Sequence, residues 1–268
     1  MKESQFFVVG LTAVILLMSS CIIAVVDYSH EGVLPPKEEF YDTFSFEYGG
    51  TLSLQALNGN IEIKGWEKEE VEIYAEKGIV LPHEKKVRIY SKRGVVPRIK
   101  IDRFEDFTKI RTEAPSSHKE AGLVDYFLKV PHSVTLKNIT SAKGDIWIAD
   151  LYGDVSVKVG TGNLSVDNFS GSLEVLLEEG SISVSLMDLR EEDEISLVSK
   201  SGDIEVYLQQ EVSARIEASA PRGEVDSEFE FSEPAPEKKV VAELGKNGAA
   251  ISLNAMNGDI RIKVIEVE

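Results

Sequence analysis

Glycine recurs at a step of nine residues through the middle of this chain, at positions 144, 153, 162, 171 and 180. Each glycine is followed by a small polar or acidic residue, then by two apolar residues with one residue between them. The copies read Gly144-Asp145-Ile146-Trp147-Ile148, Gly153-Asp154-Val155-Ser156-Val157, Gly162-Asn163-Leu164-Ser165-Val166, Gly171-Ser172-Leu173-Glu174-Val175 and Gly180-Ser181-Ile182-Ser183-Val184. A fixed period of this kind restricts the chain to a repeat architecture. Within each copy the apolar residues alternate with period two, as on a strand with one buried face. The inward residues are branched or aliphatic, which suits a pleated, packed surface. Glycine followed by Asp, Asn or Ser is turn chemistry, because glycine takes positive φ at little cost and the short polar side chain bonds nearby backbone. Each unit is therefore one short strand and one corner. No such unit buries its apolar face alone; stacked neighbours do.

The element recurs outside the regular block, at Asn58-Gly59-Asn60-Ile61, Ser201-Gly202-Asp203-Ile204, Arg222-Gly223-Glu224-Val225 and Asn257-Gly258-Asp259-Ile260. Alternate glycines fall at 144, 162, 180, 202 and 223, with steps of 18 to 22 residues. That is a coil of two short strands. The second strands carry Val155/Val157, Leu173/Val175, Ile195/Leu197 and Ala214/Ile216. The expected fold is all-β: a single-chain β-solenoid of two facing sheets, right-handed by the preference of parallel crossovers. The expected organisation is a signal peptide or membrane anchor over 1–26, a linker over 27–43, and the solenoid over 44–268.

Residues 6–26 contain no charged residue, with Lys2 before them and Asp27 after. The run is long enough to span a bilayer and has the layout of a secretory signal. Leu17-Met18-Ser19-Ser20-Cys21 is similar to a bacterial lipobox, in which the cysteine receives lipid after cleavage. The apolar run continues past Cys21 through Ile22-Ile23-Ala24-Val25-Val26, as in an uncleaved anchor with an ordinary membrane-buried cysteine. Both alternatives take the protein out of the cytoplasm and keep it tethered to a membrane. Residues 27–43, with Pro35-Pro36 and mixed charge, read as the linker.

Residues 78–125 break the rhythm and predict irregular or antiparallel strands beside the first coils, with Val87-Arg88-Ile89 and Ile99-Lys100-Ile101 strand-like and a loop over 114–122. Residues 227–249, rich in Glu, Pro and Lys, predict a projecting hairpin or loop.

The run Phe127-Leu128-Lys129-Val130-Pro131, the following Val134-Thr135-Leu136 and the recurring Gly-Asp/Asn/Ser-Ile/Leu/Val element are similar to a bacterial β-strand-repeat family of unknown function whose members are called adhesins by architecture. Gly49-Gly50-Thr51-Leu52 and Asn58-Gly59-Asn60-Ile61 add to the match, which covers roughly residues 44–265. The resemblance implies an exported β-solenoid, commonly behind a signal peptide or membrane anchor. It transfers no catalytic residue.

Net charge is −17, which argues against nucleic acid and against electrostatic adhesion to anionic lipid. The single cysteine excludes an internal disulfide and a cysteine-rich zinc site. Calcium-binding β-rolls also repeat every nine residues, but they need paired glycines and an aspartate two residues after the last. Here one glycine stands per repeat, and Asp145 and Asp154 give way to Asn163, Ser172 and Ser181. The four histidines, His30, His83, His118 and His132, have no ligand spacing. No metal, cofactor or catalytic residue is therefore expected. The enzymatic alternative is a polysaccharide-active enzyme on a solenoid, with Glu174 and Glu205 as outward carboxylates. Trp147 is the outward aromatic of the repeat block. It is either a contact for a sugar or protein, or a ring covered by residues 78–125. The functional expectation is a non-enzymatic, membrane-tethered, extracytoplasmic module with a structural, adhesin-like or sensory role at the bacterial cell envelope and an envelope protein or glycan as partner.

The anchor reading makes a measurable prediction. The protein fractionates with membranes, and mass spectrometry of its mature N-terminus decides between the two anchors. An acyl mass that disappears in Cys21→Ala marks the lipoprotein; an intact, unmodified N-terminus marks the transmembrane anchor; a soluble cytoplasmic protein rejects both.

Overall fold

The computed structural model describes residues 38–79, 97–114, 122–229 and 238–265. Among them lie twenty strands. The first are β1 (Glu38–Ser45), β2 (Thr51–Gln55), β3 (Ile61–Trp66), β4 (Glu70–Ile79), β5 (Arg98–Arg103), β6 (Phe107–Glu113) and β7 (Gly122–Pro131). The regular block holds β8 (Thr135–Lys143), β9 (Ile146–Leu151), β10 (Val155–Thr161), β11 (Leu164–Phe169), β12 (Leu173–Glu179) and β13 (Ile182–Leu186). Then come β14 (Glu194–Ser199), β15 (Ile204–Leu208), β16 (Ala214–Ser219), β17 (Val225–Ser227), β18 (Lys239–Leu244), β19 (Ala249–Ala255) and β20 (Ile260–Val264). They form two ten-stranded sheets, ordered β1-β4-β7-β3-β9-β11-β13-β15-β20-β17 and β18-β16-β19-β14-β12-β10-β8-β2-β6-β5. This is the expected all-β solenoid, with one strand of each coil in each sheet.

The alternation read from the sequence sets the register. Ile61, Ile146, Leu164, Ile182, Ile204 and Ile260 lie opposite one another on successive strands of the first sheet, all buried. Leu52, Leu136, Val155, Leu173, Ile195 and Ile251 do the same in the second sheet. The two apolar ladders face each other and make one continuous core.

The corners explain the glycines. A Cβ on Gly162, where φ is +144°, would lie 2.1 Å from the carbonyl oxygen of Gly144 on the preceding coil. The same clash, at 1.9–2.2 Å, recurs from Gly144 onto Gly59, Gly180 onto Gly162, Gly202 onto Gly180, Gly258 onto Gly202 and Gly223 onto Gly258. The polar residue after each glycine has a partner that the sequence reading placed too locally. It bonds the next coil rather than its own turn. The Asn163 N–H donates to Asp145 Oδ1 (2.7 Å), Ser181 N–H to Asn163 Oδ1 (3.0 Å), Asp203 N–H to Ser181 Oγ (3.3 Å) and Asp259 N–H to Asp203 Oδ1 (2.9 Å).

The glycine stack also corrects the coil order. The sequence places the Gly223 coil directly after the Gly202 coil, but β20 lies between β15 and β17, and β19 lies between β14 and β16. The start of the solenoid mirrors this. The coil β2–β3 lies between β6–β7 and β8–β9. Coils share one cross-section, so spatial order need not follow chain order. The longer step from Gly180 to Gly202 is a longer corner, Met187–Asp193, where Arg190 Nη2 donates to the buried Asp193 Oδ1 at 3.0 Å.

Three further boundaries differ from expectation. Residues 38–43, assigned to the linker, belong to β1, because Phe40 and Phe44 alternate onto the core while Tyr41 and Thr43 face out. The segment near 78–125 is antiparallel where β4 pairs β7 and β5 pairs β6, yet β6 and β7 themselves form a regular parallel coil with β2 and β3. The 227–249 insertion returns as β18, antiparallel to β16, rather than projecting throughout. Antiparallel strands close the N-terminal end of both sheets and the C-terminal end of the second, while the first sheet ends there on the short parallel strand β17. Arg98, Lys100 and Arg103 on β5 and Lys239 on β18 put charge on the exposed edges, which discourages edge-to-edge pairing. Val87-Arg88-Ile89, His30, His83, His118, Cys21 and the anchor all lie outside the described residues.

Three substitutions test the corner and the core. Leu164→Asp buries a carboxylate between two coils and destabilises by roughly 3–5 kcal/mol. Gly162→Ala combines positive φ with a backbone clash and destabilises by roughly 3 kcal/mol or more. Gly49→Ala shares positive φ (+73°) but meets nothing within 4 Å, so it destabilises by only about 1 kcal/mol. Urea midpoints of the full chain rank the three; equal midpoints for the two glycine variants reject the close-approach explanation.

Candidate binding face

The outer side of the first sheet is set by the same register as its core. Tyr41 of β1 lies opposite Tyr74 of β4, Tyr74 opposite Phe127 of β7, Phe127 opposite Glu62 of β3, and Glu62 opposite Trp147 of β9. Beyond Trp147 the row continues through Ser165, Ser183 and Glu205 to Arg261. In this row the aromatic rings stand on β1, β4, β7 and β9 and give way to small and charged residues along the rest.

Each ring is fixed from beneath or beside. Tyr126, next to Phe127, points into the core and shares a 2.8 Å hydrogen bond with Thr112; burial pushes its pKa up to about 12. That inward anchor leaves Phe127 outside, 39% exposed, its ring 5.8 Å from that of Tyr74. Tyr74 donates to Glu76 Oε1 at 3.2 Å, and burial is the first cause of its raised pKa. Tyr41 is 64% exposed and donates to Glu72 Oε2 at 3.3 Å. Trp147 donates its indole N–H to Asp167 Oδ2 at 2.6 Å. It is half-buried and lies in register between Glu62 and Ser165 on its own sheet.

Beside this row runs a second, polar one. Lys129 lies opposite Glu72 on one side and Lys64 on the other. Lys129 Nζ bonds Glu72 Oε1 at 2.8 Å and stands 5.5 Å from the centre of the Trp66 ring. Lys64 pairs with Asp150 at 3.8 Å. The Lys129 ammonium, through its hydrogen bond, holds the Glu72 carboxyl below its usual value, and Glu72 raises Lys129 in turn.

The enzymatic candidates are not brought together. Glu174 lies on β12 in the second sheet and Glu205 on β15 in the first, on opposite outer faces. Glu205 is held by Lys263 Nζ at 2.5 Å and accepts from Tyr207 Oη at 2.8 Å. The Lys263 hydrogen bond holds the Glu205 carboxyl below its usual range. Glu174 lines a shallow groove of about 560 Å³ with Asp154, Ser156, Glu194 and Ser196. Asp154 there already accepts from Ser172 N–H at 3.4 Å in the corner ladder. A second cavity of about 330 Å³ opens at the N-terminal mouth of the solenoid among Phe44, Phe46, Phe104 and Phe107. Arg103 crosses that mouth, bonded to Asp42 and 4.1 Å from the Phe44 ring centre. Among the described residues no group of three or more His, Cys, Asp or Glu is placed to hold a metal. His132 is stacked on Tyr152 and bonded to the Asp150 carbonyl, a corner contact.

The sequence singled out Trp147 but missed Tyr41, Tyr74 and Phe127. The signal for Phe127 was present, since it alternates with Tyr126 and Leu128. Tyr41 was hidden in the supposed linker, and the antiparallel register that aligns the rings has no sequence mark.

The family model described as Toastrack DUF4097 matches residues 36–263. The chain belongs to the Toastrack DUF4097 family. Its fold is similar to that of a protein from Clostridium sporogenes named as a candidate for cell adhesion, at 16% identity and TM-score 0.49, covering 85% of this chain and 100% of that one. A candidate adhesin from Bacteroides fragilis is similar at 12% identity and TM-score 0.37, covering 87% of this chain and 100% of that one. No curated protein matches the chain. In this Toastrack chain the corner glycines and their polar neighbours hold successive coils together.

The Glu72–Lys129 pair gives the face a pH signature. Its native carboxyl value lies below the ordinary 4.5, so its contribution to stability is present above that value and lost as pH falls through the native one. The urea midpoint of the wild type should fall more steeply below about pH 4.5 than that of Glu72→Gln. Parallel acid limbs would show that the pair contributes nothing to stability.

Proposed function

We propose that this protein is a non-enzymatic, adhesin-like binding module, tethered by its N-terminus and displayed outside the cytoplasm at the bacterial envelope. The observation that carries the reading is the outward row Tyr41–Tyr74–Phe127–Glu62–Trp147, in register across five strands. Exposed aromatic rings contribute nothing to the core on the other side of the sheet, and rigid amphipathic rings make effective contact anchors. The uncharged run over 6–26 supports the tether. The many carboxylates committed to corners and ion pairs, Asp145, Asp154, Asp203 and Glu205 among them, support a binding role over catalysis.

The second reading is a polysaccharide-active enzyme, and the groove with Asp154, Glu174 and Glu194 favours it. One set of measurements separates the two. The full chain should bind envelope preparations, and the double variant Tyr41→Ala/Phe127→Ala should lose about tenfold or more of that binding while keeping its urea midpoint. Unchanged binding in the double variant rejects the face. Turnover of polysaccharides, with or without calcium, that disappears in Glu174→Gln replaces the binding reading with the enzymatic one.

A further inference from the structure

Resting on that reading, we propose that the ligand of the aromatic face is an extended glycan built of amino sugars, lying across the strands with its sugar rings on Phe127 and Trp147 and an ammonium group on Glu62. Phe127 and Trp147 are two strands apart in register, about 9–10 Å at the ordinary strand spacing. That separation is comparable to the repeat of a disaccharide in an extended β-linked glycan. Tyr74 and Tyr41 continue the row beyond Phe127 at one-strand steps of about 4.7–4.9 Å, half the Phe127–Trp147 separation. Contacts spaced by whole strands suit a polymer of constant repeat. The two cavities described above are lined by other residues than this row.

Charge selects among glycans. Glu62 is exposed between the two rings and forms no ion pair among the described residues. The neighbouring cations Lys64 and Lys129 are already matched with Asp150 and Glu72. On the other flank, one alternation away, stand Asp125 and Asp145, whose carboxylates each accept a backbone N–H of the corner ladder. The protein as a whole carries −17. A polyanionic glycan is repelled by this surface, whereas an amino sugar brings a cation to the one carboxylate that lies between the stacking rings.

The test titrates the full chain with a glucosamine oligomer, its N-acetylated neutral counterpart and an oligogalacturonate, reading tryptophan fluorescence, since Trp147 lies in the row. The glucosamine oligomer should bind, and Phe127→Ala should weaken it about tenfold or more. Tyr41→Ala, at a more exposed position, serves as the second ring variant if Phe127→Ala is poorly folded. Added salt should weaken wild-type binding, while Glu62→Gln should bind more weakly and lose most of that salt dependence. The neutral oligomer should bind more weakly and be indifferent to Glu62→Gln. Absence of glucosamine-oligomer binding, equal or tighter binding of the polyanion, or full affinity in both ring variants overturns the proposal. If envelope binding still depends on the rings while amino-sugar oligomers are ignored, the glycan assignment falls and the binding face stands. If envelope binding is itself indifferent to the rings, both fall.

Discussion

At the glycine corners of this solenoid backbone approaches backbone closely enough that no side chain fits between. A Cβ at Gly180 would lie 1.9 Å from the Gly162 carbonyl, far inside any contact distance, and φ there is +135°. The constraint follows from strand spacing. Coils hydrogen-bonded at about 4.7–4.9 Å leave no room for a substituent aimed along the stack. Once glycine is required at the corner, the next residue becomes the first whose side chain reaches the adjacent coil. Asp, Asn and Ser are short enough to accept its N–H there, as in Asn163 N–H to Asp145 Oδ1. The nine-residue motif is thus the trace of contacts between coils, and a free-standing copy would have no reason to keep it.

That constraint also permits the threading at both ends. The corner at Gly258 closes onto Gly202, and the corner at Gly223 closes onto Gly258. Any segment with the right corner and alternation fits any place in the stack. Placing β2–β3 and β19–β20 one coil in from each end surrounds both with hydrogen-bonded neighbours on either side. Three of the four outermost places are filled by antiparallel strands, β1, β5 and β18, and the fourth by the short parallel strand β17; β5 and β18 put charge on their edges. Carboxylates recruited as corner acceptors contribute to the acidity of the chain; Asp203 accepts from Asp259 N–H and also pairs with Arg261 at 3.3 Å.

Much of this was legible in the sequence because stacking writes itself as period. Inward residues such as Ile146, Leu164 and Ile182 were identified by alternation alone and occupy the same ladder. Spatial order was not legible past residue 202, since interchangeable coils leave no mark of which neighbour each will choose. The end strands were misjudged for a related reason. Strand β1 has a charged start, Glu38-Glu39, and only Phe40 and Phe44 mark its inward face, so composition resembled a linker. Of the candidate face only Trp147 stood out, because it interrupts a block of serines. Its companions come from segments far apart in sequence, and alignment depends on the antiparallel register of β1, β4 and β7.

The location of those rings follows from what each part of the sheet must satisfy. In the regular coils the outward positions, Ser165 and Ser183, are flanked by parallel neighbours of similar sequence, and small polar residues suffice there. At the N-terminal end three unlike segments meet, and each contributes a ring at the same level: Tyr41, Tyr74 and Phe127. The core beneath is already complete, with Ile73, Tyr126 and Leu128 buried. Packing accounts for the ring contact between Tyr74 and Phe127, but it gives no reason for Tyr41 to remain largely exposed at the end of the row. Three segments far apart in sequence thus meet on one outward line that ends at a tryptophan and encloses an exposed carboxylate, the line on which the proposed binding role rests. The corners hold the stack and leave that line free to be read from outside.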